Sequence, residues 1–308
     1  MKILITGGAG FIGSHLQDRL LELRHEVAVI DSLRTGKKEN LDPKTKFYQV
    51  DIREGEEIKK IFQEFQPEIV FHLAAQNSVP YSMEHPLEDA ETNVLGMMNL
   101  LEASKEVKFK KFIFSNTGGA LYGDVEDVDL PLAEDFITLR PSSFYGVSKR
   151  CAEEYLKLYG NLYGIGWVSL RYANVYGPRQ DGSQEIGVTA IFIHKLIHKE
   201  APTINGDGSH TRDYVYVSDV VDANIKALDF TGNDYFNIST EVETSNKQVY
   251  ETVAGILNFK EKPNYGSARP GDPLRSCLSN KKAKEILGWT PKVTFKEGVQ
   301  KTIDYYKK

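Results

Sequence analysis

Apolar positions in the first two thirds of the chain follow two alternating rhythms. Short runs rich in β-branched and aromatic residues fall at 3–6, 26–30, 46–50, 69–73, 111–115 and 166–171. Between them, at 11–22, 56–65, 86–104 and 143–159, apolar residues recur three and four positions apart. The first rhythm predicts buried strands and the second amphipathic helices. Strands separated in this way need right-handed crossovers, which cover both faces of a parallel sheet with helices. The expected fold is therefore α/β, a doubly wound (Rossmann-type) parallel sheet with a smaller C-terminal lobe.

Beyond residue 174 the rhythm changes. The loops YGPRQDGSQ and INGDGSH separate helices expected at 187–199, 218–229 and 245–257, and 213–217 and 235–238 read as strands that return to the main sheet or extend it. Residues 1–174, with the returning segments near 213–238, are expected to form the nucleotide-binding domain. Residues 175–212 and 239–308 are expected to form the substrate-binding lobe over the carboxyl ends of the strands, where open α/β sheets bind ligands. No internal repeat or low-complexity segment is present.

Composition narrows the function classes. A chain of 308 residues, 41% hydrophobic and 26% charged, suits a globular protein with one large core and a smaller lobe. No apolar run approaches the ~20 residues a bilayer helix needs. The N-terminus enters a strand with no basic leader or small-residue cleavage site, so a cytoplasmic location without membrane partners is the default. A net charge of -5 on interspersed residues leaves no extended positive field for nucleic acid. The KKAK run at 281–284 reads as a solvated helix face. Cys151 and Cys277 cannot build a disulfide framework, and no Cys/His spacing resembles a metal site, so no metal is expected.

The segment GGAGFIG follows the first strand and opens the first helix. Gly8, Gly10 and Gly13 fit GxGxxG, while Gly7, Gly10 and Gly13 fit GxxGxxG. Glycines there permit a tight turn and close approach to a pyrophosphate, which the unpaired N–H groups of the helix start can hold. Asp31 ends the second strand, where a carboxylate accepts ribose hydroxyls and repels a 2′-phosphate, favouring NAD over NADP. Arg34 and Lys37 nearby can tolerate a phosphate. Asp51, after the third strand, reads either as a partner of the adenine edge or as a turn aspartate.

Tyr145 and Lys149, four residues apart in SSFYGVSKRCAEEYL, project from one helix face. Ionising a tyrosine at neutral pH costs roughly 4 kcal/mol, which a nearby ammonium and the positive ring of NAD+ would both reduce. Tyr145 is therefore expected to have a lowered pKa and to act as general base on a sugar hydroxyl. KFIFSNTGGALYG supplies Ser115 and Thr117 at the end of the fifth strand, and Thr117 is the hydroxyl chosen to hold the substrate oxygen. His72, Trp167 and Trp289 read as packing residues.

Together these residues resemble a known family, the extended short-chain dehydrogenase/reductases, and within it the NAD-dependent sugar-nucleotide epimerases and dehydratases. GGAGFIG, Asp31, FHLAAQ, Asn93, SNTGGALYG, Tyr145 with Lys149, RYANVYGPRQ, GDGSHTRDYVYVSDV and ARPGD stand in the family's order, and the likeness is greatest to its UDP-galactose and UDP-N-acetylglucosamine 4-epimerase branch. The resemblance implies NAD contacts from Gly7, Gly10, Phe11, Ile12, Gly13, Asp31, Asp51, Ile52, Leu73, Ala74, Ala75, Gln76, Asn93, Ser115 and Lys149. It implies catalysis by Tyr145, Lys149 and Thr117. A UDP-sugar would meet Ser78, Val79, Thr117, Tyr145, Asn174, Gly187, Val188, Thr203, Asn205, Arg212, Tyr214, Arg269, Asp272 and Ser276. Guanidinium forks at Arg212 and Arg269 suit diphosphate oxygens, although surface ion pairing would also place arginines in such loops.

Similar dehydratases and decarboxylases carry carboxylates directly after the threonine, whereas Thr117 is followed by Gly118 and Gly119. The resemblance therefore implies 4-epimerisation through a 4-keto sugar, with a 4,6-dehydratase or decarboxylase as rival and a non-catalytic NAD-sensing module as remoter reading. In similar epimerases the residue at the position of Ser276 lines the hexose pocket and a tyrosine there excludes N-acetyl groups. Ser276 thus implies room for UDP-N-acetylhexosamines besides UDP-glucose and UDP-galactose, unless it faces solvent. Likeness also implies a homodimer through helices 86–104 and 143–159, whose apolar faces would equally suit packing on the sheet.

Overall fold

The alternating segments become a seven-stranded sheet in a computed structural model, which describes residues 1–123, 129–136, 140–183, 187–267 and 273–308. Its strands are β1 (Lys2–Thr6), β2 (Glu26–Ile30), β3 (Lys46–Tyr48), β4 (Ile69–His72), β5 (Lys111–Thr117), β6 (Gly166–Tyr172) and, after three short strands named below, β10 (Asp234–Ile238). All pair in parallel, in the order β10-β6-β5-β4-β1-β2-β3. The order reverses between β1 and β4, which opens a crevice at their carboxyl ends.

Each face of the sheet buries its own apolar layer. On one side Ile3, Ile5, Val29 and Phe71 meet Leu16 and Leu20 of α1 (Phe11–Glu22) and Val220, Ala223 and Ala227 of α8 (Val217–Asp229). On the other, Leu4, Val70 and Phe112 meet α2 (Gly55–Phe65), α5 (Gly96–Ser104) and α6 (Phe144–Tyr163) through Phe62, Leu100 and Leu156. Trp289 belongs to the first layer and Trp167 to the second, as core residues.

A third core organises the smaller part around Tyr176, Tyr214, Tyr216, Ile193 and Val253. There β7 (Asn174–Tyr176), β9 (Thr211–Tyr216) and β11 (Glu243–Ser245) form a small sheet, and β8 (Thr203–Asn205) pairs with β12 (Asn264–Gly266). The helices α7 (Val188–Ile197), α9 (Asn246–Leu257) and α10 (Phe295–Tyr306) pack around them. No described helix is long and apolar enough to cross a membrane.

Three departures from the sequence pattern matter. The strand expected at 213–217 joins the small sheet instead of the main one, and only 235–238 returns. The helix expected over 86–104 is α4 (Pro86–Ala90), a π turn over Glu91–Leu95, and α5. Such a turn is a common device at functional sites, and here it accompanies a buried Asn93 hydrogen-bonded to the turn after β4. A short helix, α3 (Val79–Glu84), precedes it, with the Ser78 hydroxyl accepting from Tyr81 N as its cap.

Candidate functional site

The crevice between β1 and β4 carries the glycine loop. Gly7 has φ +73°, and a Cβ on it would lie 2.6 Å from Ala74 N, so the β1 loop and the end of β4 approach backbone to backbone. A Cβ on Gly13 would overlap the Gly7 carbonyl. Gly10 caps α1 without any side chain, leaving the first-turn N–H groups around Phe11 and Ile12 for an anion. A cradle that any side chain would fill fits a dinucleotide pyrophosphate.

Asp31 is buried beside this loop, accepting from Ala9 N at 3.0 Å and Leu33 N at 2.8 Å. Burial raises its pKa, and these two N–H groups oppose the rise. It therefore acts as a strand-end cap tied to the glycine loop, at the position where ribose hydroxyls would lie. Arg34 is engaged with Glu88 and Tyr81, and Lys37 pairs with Asp181 at 3.3 Å, so neither cation stands uncommitted to receive a 2′-phosphate. Both oxygens of Asp51 are taken by Arg53, at 3.0 and 2.7 Å, which favours the turn reading over an adenine contact. Ile52 is buried, and Leu73, Ala74, Ala75 and Gln76 line the turn after β4, with Ala74 N donating to Thr6 Oγ1. His72 is buried, bonded to Thr6 Oγ1 at 2.7 Å and stacked on Phe114, a packing residue as expected.

The turn after β7 straps this pocket to the smaller part. His15 Nε2 lies 2.9 Å from the Pro178 carbonyl, Arg179 pairs with Asp18 at 2.8 Å, and the Tyr306 hydroxyl donates to the Gln180 carbonyl.

Ser143 caps α6 by accepting from Gly146 N at 3.2 Å, and a Cβ on Gly146 would meet the Ala120 carbonyl at 2.5 Å. The helix start thus lies flush on the loop that follows β5, bringing Tyr145 to Thr117. Thr117 Oγ1 accepts from Ala120 N, so its own proton is available to the Tyr145 oxygen, with which it interacts. One turn on, Lys149 is buried, donating to the Ser115 carbonyl at 2.6 Å with its Nζ 4.3 Å from the centre of the Phe114 ring. The Ser115 hydroxyl turns away to Tyr172.

The electrostatics correct one expectation. In the protein alone Tyr145 is pushed well above the ordinary tyrosine value: burial is the main cause, the Thr117 hydroxyl opposes it, and the Asp89 carboxylate adds to it. Lys149 does not lower it, because its ammonium is directed at Ser115 and burial brings its own pKa down to about 7, against the pull of Asp89. The pair is desolvated first and paired second.

Behind the pair lies a buried amide network that sequence reasoning captured only in part. Asn93 accepts from Gln76 N at 2.9 Å and donates to Gln76 O, Asp89 Oδ1 and Ser148 Oγ. Asp89, Ser148 and Phe114 were not singled out from sequence, although Asp89 and Asn93 are polar residues four apart in a largely apolar helical stretch.

On the substrate side Gly118 and Gly119 behave differently. A Cβ on Gly118 would overlap Leu278, whereas one on Gly119 would meet, among the described residues, Asn174 Oδ1 at 3.6 Å and Ser276 Oγ at 4.0 Å. Asn174 and Ser276 therefore face the opening beside Thr117, and Ser276 is buried instead of solvent-facing. Ser78 and Val79 stand at the α3 start, and Gly187 and Val188 at the α7 start. Thr203 and Asn205 lie on β8, and Arg212 on β9, donating to the Thr211 carbonyl at 2.7 Å. The Tyr214 ring packs on Tyr176 and Phe295 inside the third core, so its side chain builds the lobe. Arg269 and Asp272 lie outside the described residues.

Residues 3–239 match the family model described as the NAD dependent epimerase/dehydratase family. The chain is 44% identical to a putative UDP-glucose 4-epimerase of Methanocaldococcus jannaschii, over 99% of this chain and 98% of that protein. Among solved structures it superposes on the UDP-glucose 4-epimerase of Thermotoga maritima with UDP-glucose, with TM-score 0.98, 46% identity and coverage of 100% and 99%. The Thermus thermophilus UDP-glucose 4-epimerase complex with NAD gives TM-score 0.93 at 44% identity, covering 100% and 99%.

Proposed function

The chain belongs to the NAD-dependent epimerase/dehydratase family, and on that premise we propose that it is a UDP-hexose 4-epimerase, inverting C4 of a UDP-sugar through a 4-keto form of the sugar. One observation carries the reading: Thr117, Tyr145 and Lys149 converge at the carboxyl end of β5, and two glycines occupy the positions where an elimination reaction would need carboxylates.

The glycine loop, the α1 N-terminus and Asp31 would hold NAD, which when bound supplies reversible hydride acceptance and a positive ring that favours an ionised phenol. Tyr145 takes the proton of the sugar O4 and later returns it. Lys149, held on the Ser115 carbonyl, stands one helical turn from the base. Thr117 donates toward the same oxygens and fixes their direction. Gly119, Asn174 and Ser276 are neighbours beside Thr117, where the oxidised sugar would turn about its diphosphate linkage and present its other face. Arg212, with Arg269 and Asp272, completes the reading on the UDP side. Residues 1–174 with the returning β10 hold the cofactor, and the smaller part holds the sugar nucleotide.

The test is incubation of the purified protein, without added NAD, with UDP-glucose, UDP-galactose, UDP-N-acetylglucosamine and UDP-N-acetylgalactosamine, followed by NMR of the products. C4 epimers are expected; a 4-keto-6-deoxy sugar, or release of carbon dioxide from UDP-glucuronate offered in parallel, would overturn the reading. Ser276 supports acceptance of the N-acetylated pair. Ser276→Tyr overfills the position beside Thr117 at a cost of roughly 1–3 kcal/mol, so N-acetylhexosamine turnover should fall about ten- to a hundredfold while UDP-galactose turnover persists. Equal loss for both sugar classes contradicts this assignment.

A homodimer and a cytoplasmic location complete the proposal. On α6, Phe144, Val147, Leu158 and Leu162 are exposed at spacings that keep them on one face, and Leu87 and Leu95, 80% and 52% exposed, extend the patch on the adjoining helical stretch. A second copy related by a two-fold axis would cover it as a four-helix bundle. Leu158→Glu with Leu162→Glu is expected to halve the mass seen by light scattering, and an unchanged mass would show that the chain does not pair through this face. Cys151 and Cys277 are both free thiols, which suits a reducing compartment.

A further inference from the structure

The buried carboxylate of Asp89 asks for an explanation that packing does not supply. Asp89 is 1% exposed on α4, one helical turn before Asn93. Its Oδ1 accepts from Gln76 Nε2 at 2.8 Å and Asn93 Nδ2 at 3.1 Å. Its Oδ2 is enclosed and has no hydrogen-bond partner among the described residues. An unpaired buried carboxylate oxygen is costly, and a neutral side chain would avoid that cost. α4 packs directly on α6, and the field of the carboxylate reaches both members of the catalytic pair.

We propose that Asp89 is a positioning residue for the epimerase reaction: its buried carboxylate sets the charge environment of the Tyr145 and Lys149 pair, while Gln76 and Asn93, held on its Oδ1, fix the seat of α6. The Asn93 amide reaches Ser148 Oγ at 3.1 Å, and that hydroxyl donates to the Tyr145 carbonyl at 3.0 Å, so one network spans from Asp89 to the backbone of the base. This rests on the 4-epimerase reading above.

Among the described residues Asp89 is the anion that acts on the pair. From α6, Tyr145 and Lys149 are the titratable groups coupled to it. From β4 comes His72, whose pKa is held well below its usual value by burial and by Lys149. β5 contributes the Ser115 carbonyl. α3 ends at His85, whose carbonyl accepts the Asp89 N–H at 3.1 Å. On α4 and the π turn, Glu88 and Glu91 are directed to Arg34 and Arg53.

A negative charge raises the pKa of both an ammonium and a phenol, so removing it lowers both. Lys149, already brought to about 7, falls further, and Tyr145 loses an influence that sustains its elevated value. The experiment compares the pH dependence of kcat for the NAD-bound wild type, D89N and Asn93→Ser. In D89N the acid and alkaline limbs should both move to lower pH by about 1 unit. Asn93→Ser breaks the same network but keeps the charge, so it should reduce kcat with the limbs in place. Unmoved limbs in D89N, or equal displacement in both variants, overturn the proposal.

The Lys149 titration, followed by NMR of its side-chain Cε carbon against pH, gives a second measurement independent of turnover. The Lys149 midpoint should fall in D89N by the same shift even if the wild type were to epimerise nothing, which would sink the functional reading alone. D89S serves if D89N does not fold, and failure of both neutral variants to fold counts against the proposal by making Asp89 a residue of the fold.

Discussion

Tyr145→Phe is expected to lower kcat roughly 10²–10⁴-fold, the range by which a positioned general acid–base group contributes, while NAD content and thermal unfolding stay at wild-type values. The ring remains to fill the mouth of the crevice, and only the hydroxyl facing Thr117 is lost. Lys149 keeps its bond to the Ser115 carbonyl, because that contact does not involve the phenol. Because burial holds the phenol above its ordinary value, proton uptake should depend on the cationic nicotinamide, and wild-type activity should decline toward acid pH as the phenol keeps its proton. Full turnover by the phenylalanine variant would require another base.

The largest stability effect is expected at Arg171, which is buried with Glu153 behind the same strand ends. Arg171 makes bonds of 3.1 and 2.6 Å to the two Glu153 oxygens and 2.9 Å to the Tyr122 hydroxyl, and lies 4.1 Å from the centre of the Tyr235 ring. Glu153 also accepts from Asn116 at 2.8 Å and Ser169 at 2.6 Å, and Asn116 Oδ1 in turn accepts the Thr117 N–H. Burial penalises the Glu153 carboxylate, and the bond and charge of Arg171, with the Ser169 hydroxyl and Lys157, together outweigh that penalty.

Arg171→Leu removes the compensating charge and should destabilise the protein by about 3–5 kcal/mol in equilibrium urea unfolding. Adding Glu153→Leu should recover much of that loss, since an uncharged pair leaves no buried ion. A single variant as stable as wild type would show that Lys157, 3.5 Å from Glu153, suffices as partner.

Much of the large sheet was legible because its strands are buried on both faces and its helices are amphipathic. The runs 26–30 and 11–22 coincide with β2 and α1, and Gly7 and Gly13 hold positions where a side chain would collide. The smaller part was less legible, since β7, β8, β11 and β12 are three residues each, too short to show a period. The start of α10 carried a readable signal in its Thr294 and Glu297 capping box.

At the site, spacing put Tyr145 and Lys149 on one helix face, but it could not tell where the ammonium points. That direction is set by the Ser115 carbonyl, a backbone atom with no sequence signature. Tyr214 likewise depended on tertiary partners, the Tyr176 and Phe295 rings, whereas Asp51 is taken by a local one, Arg53 two residues on. Asp89 escaped notice because its burial follows from how α4 and the π turn pack on α6.

The central claim is that C4 of the sugar is oxidised and then reduced within one closed site. Turnover of UDP-galactose in deuterium oxide, followed by proton NMR of the UDP-glucose formed, tests it most directly. The account predicts that the product keeps the original C4 hydrogen with no deuterium at that carbon; deuterium accumulating at C4 would contradict it.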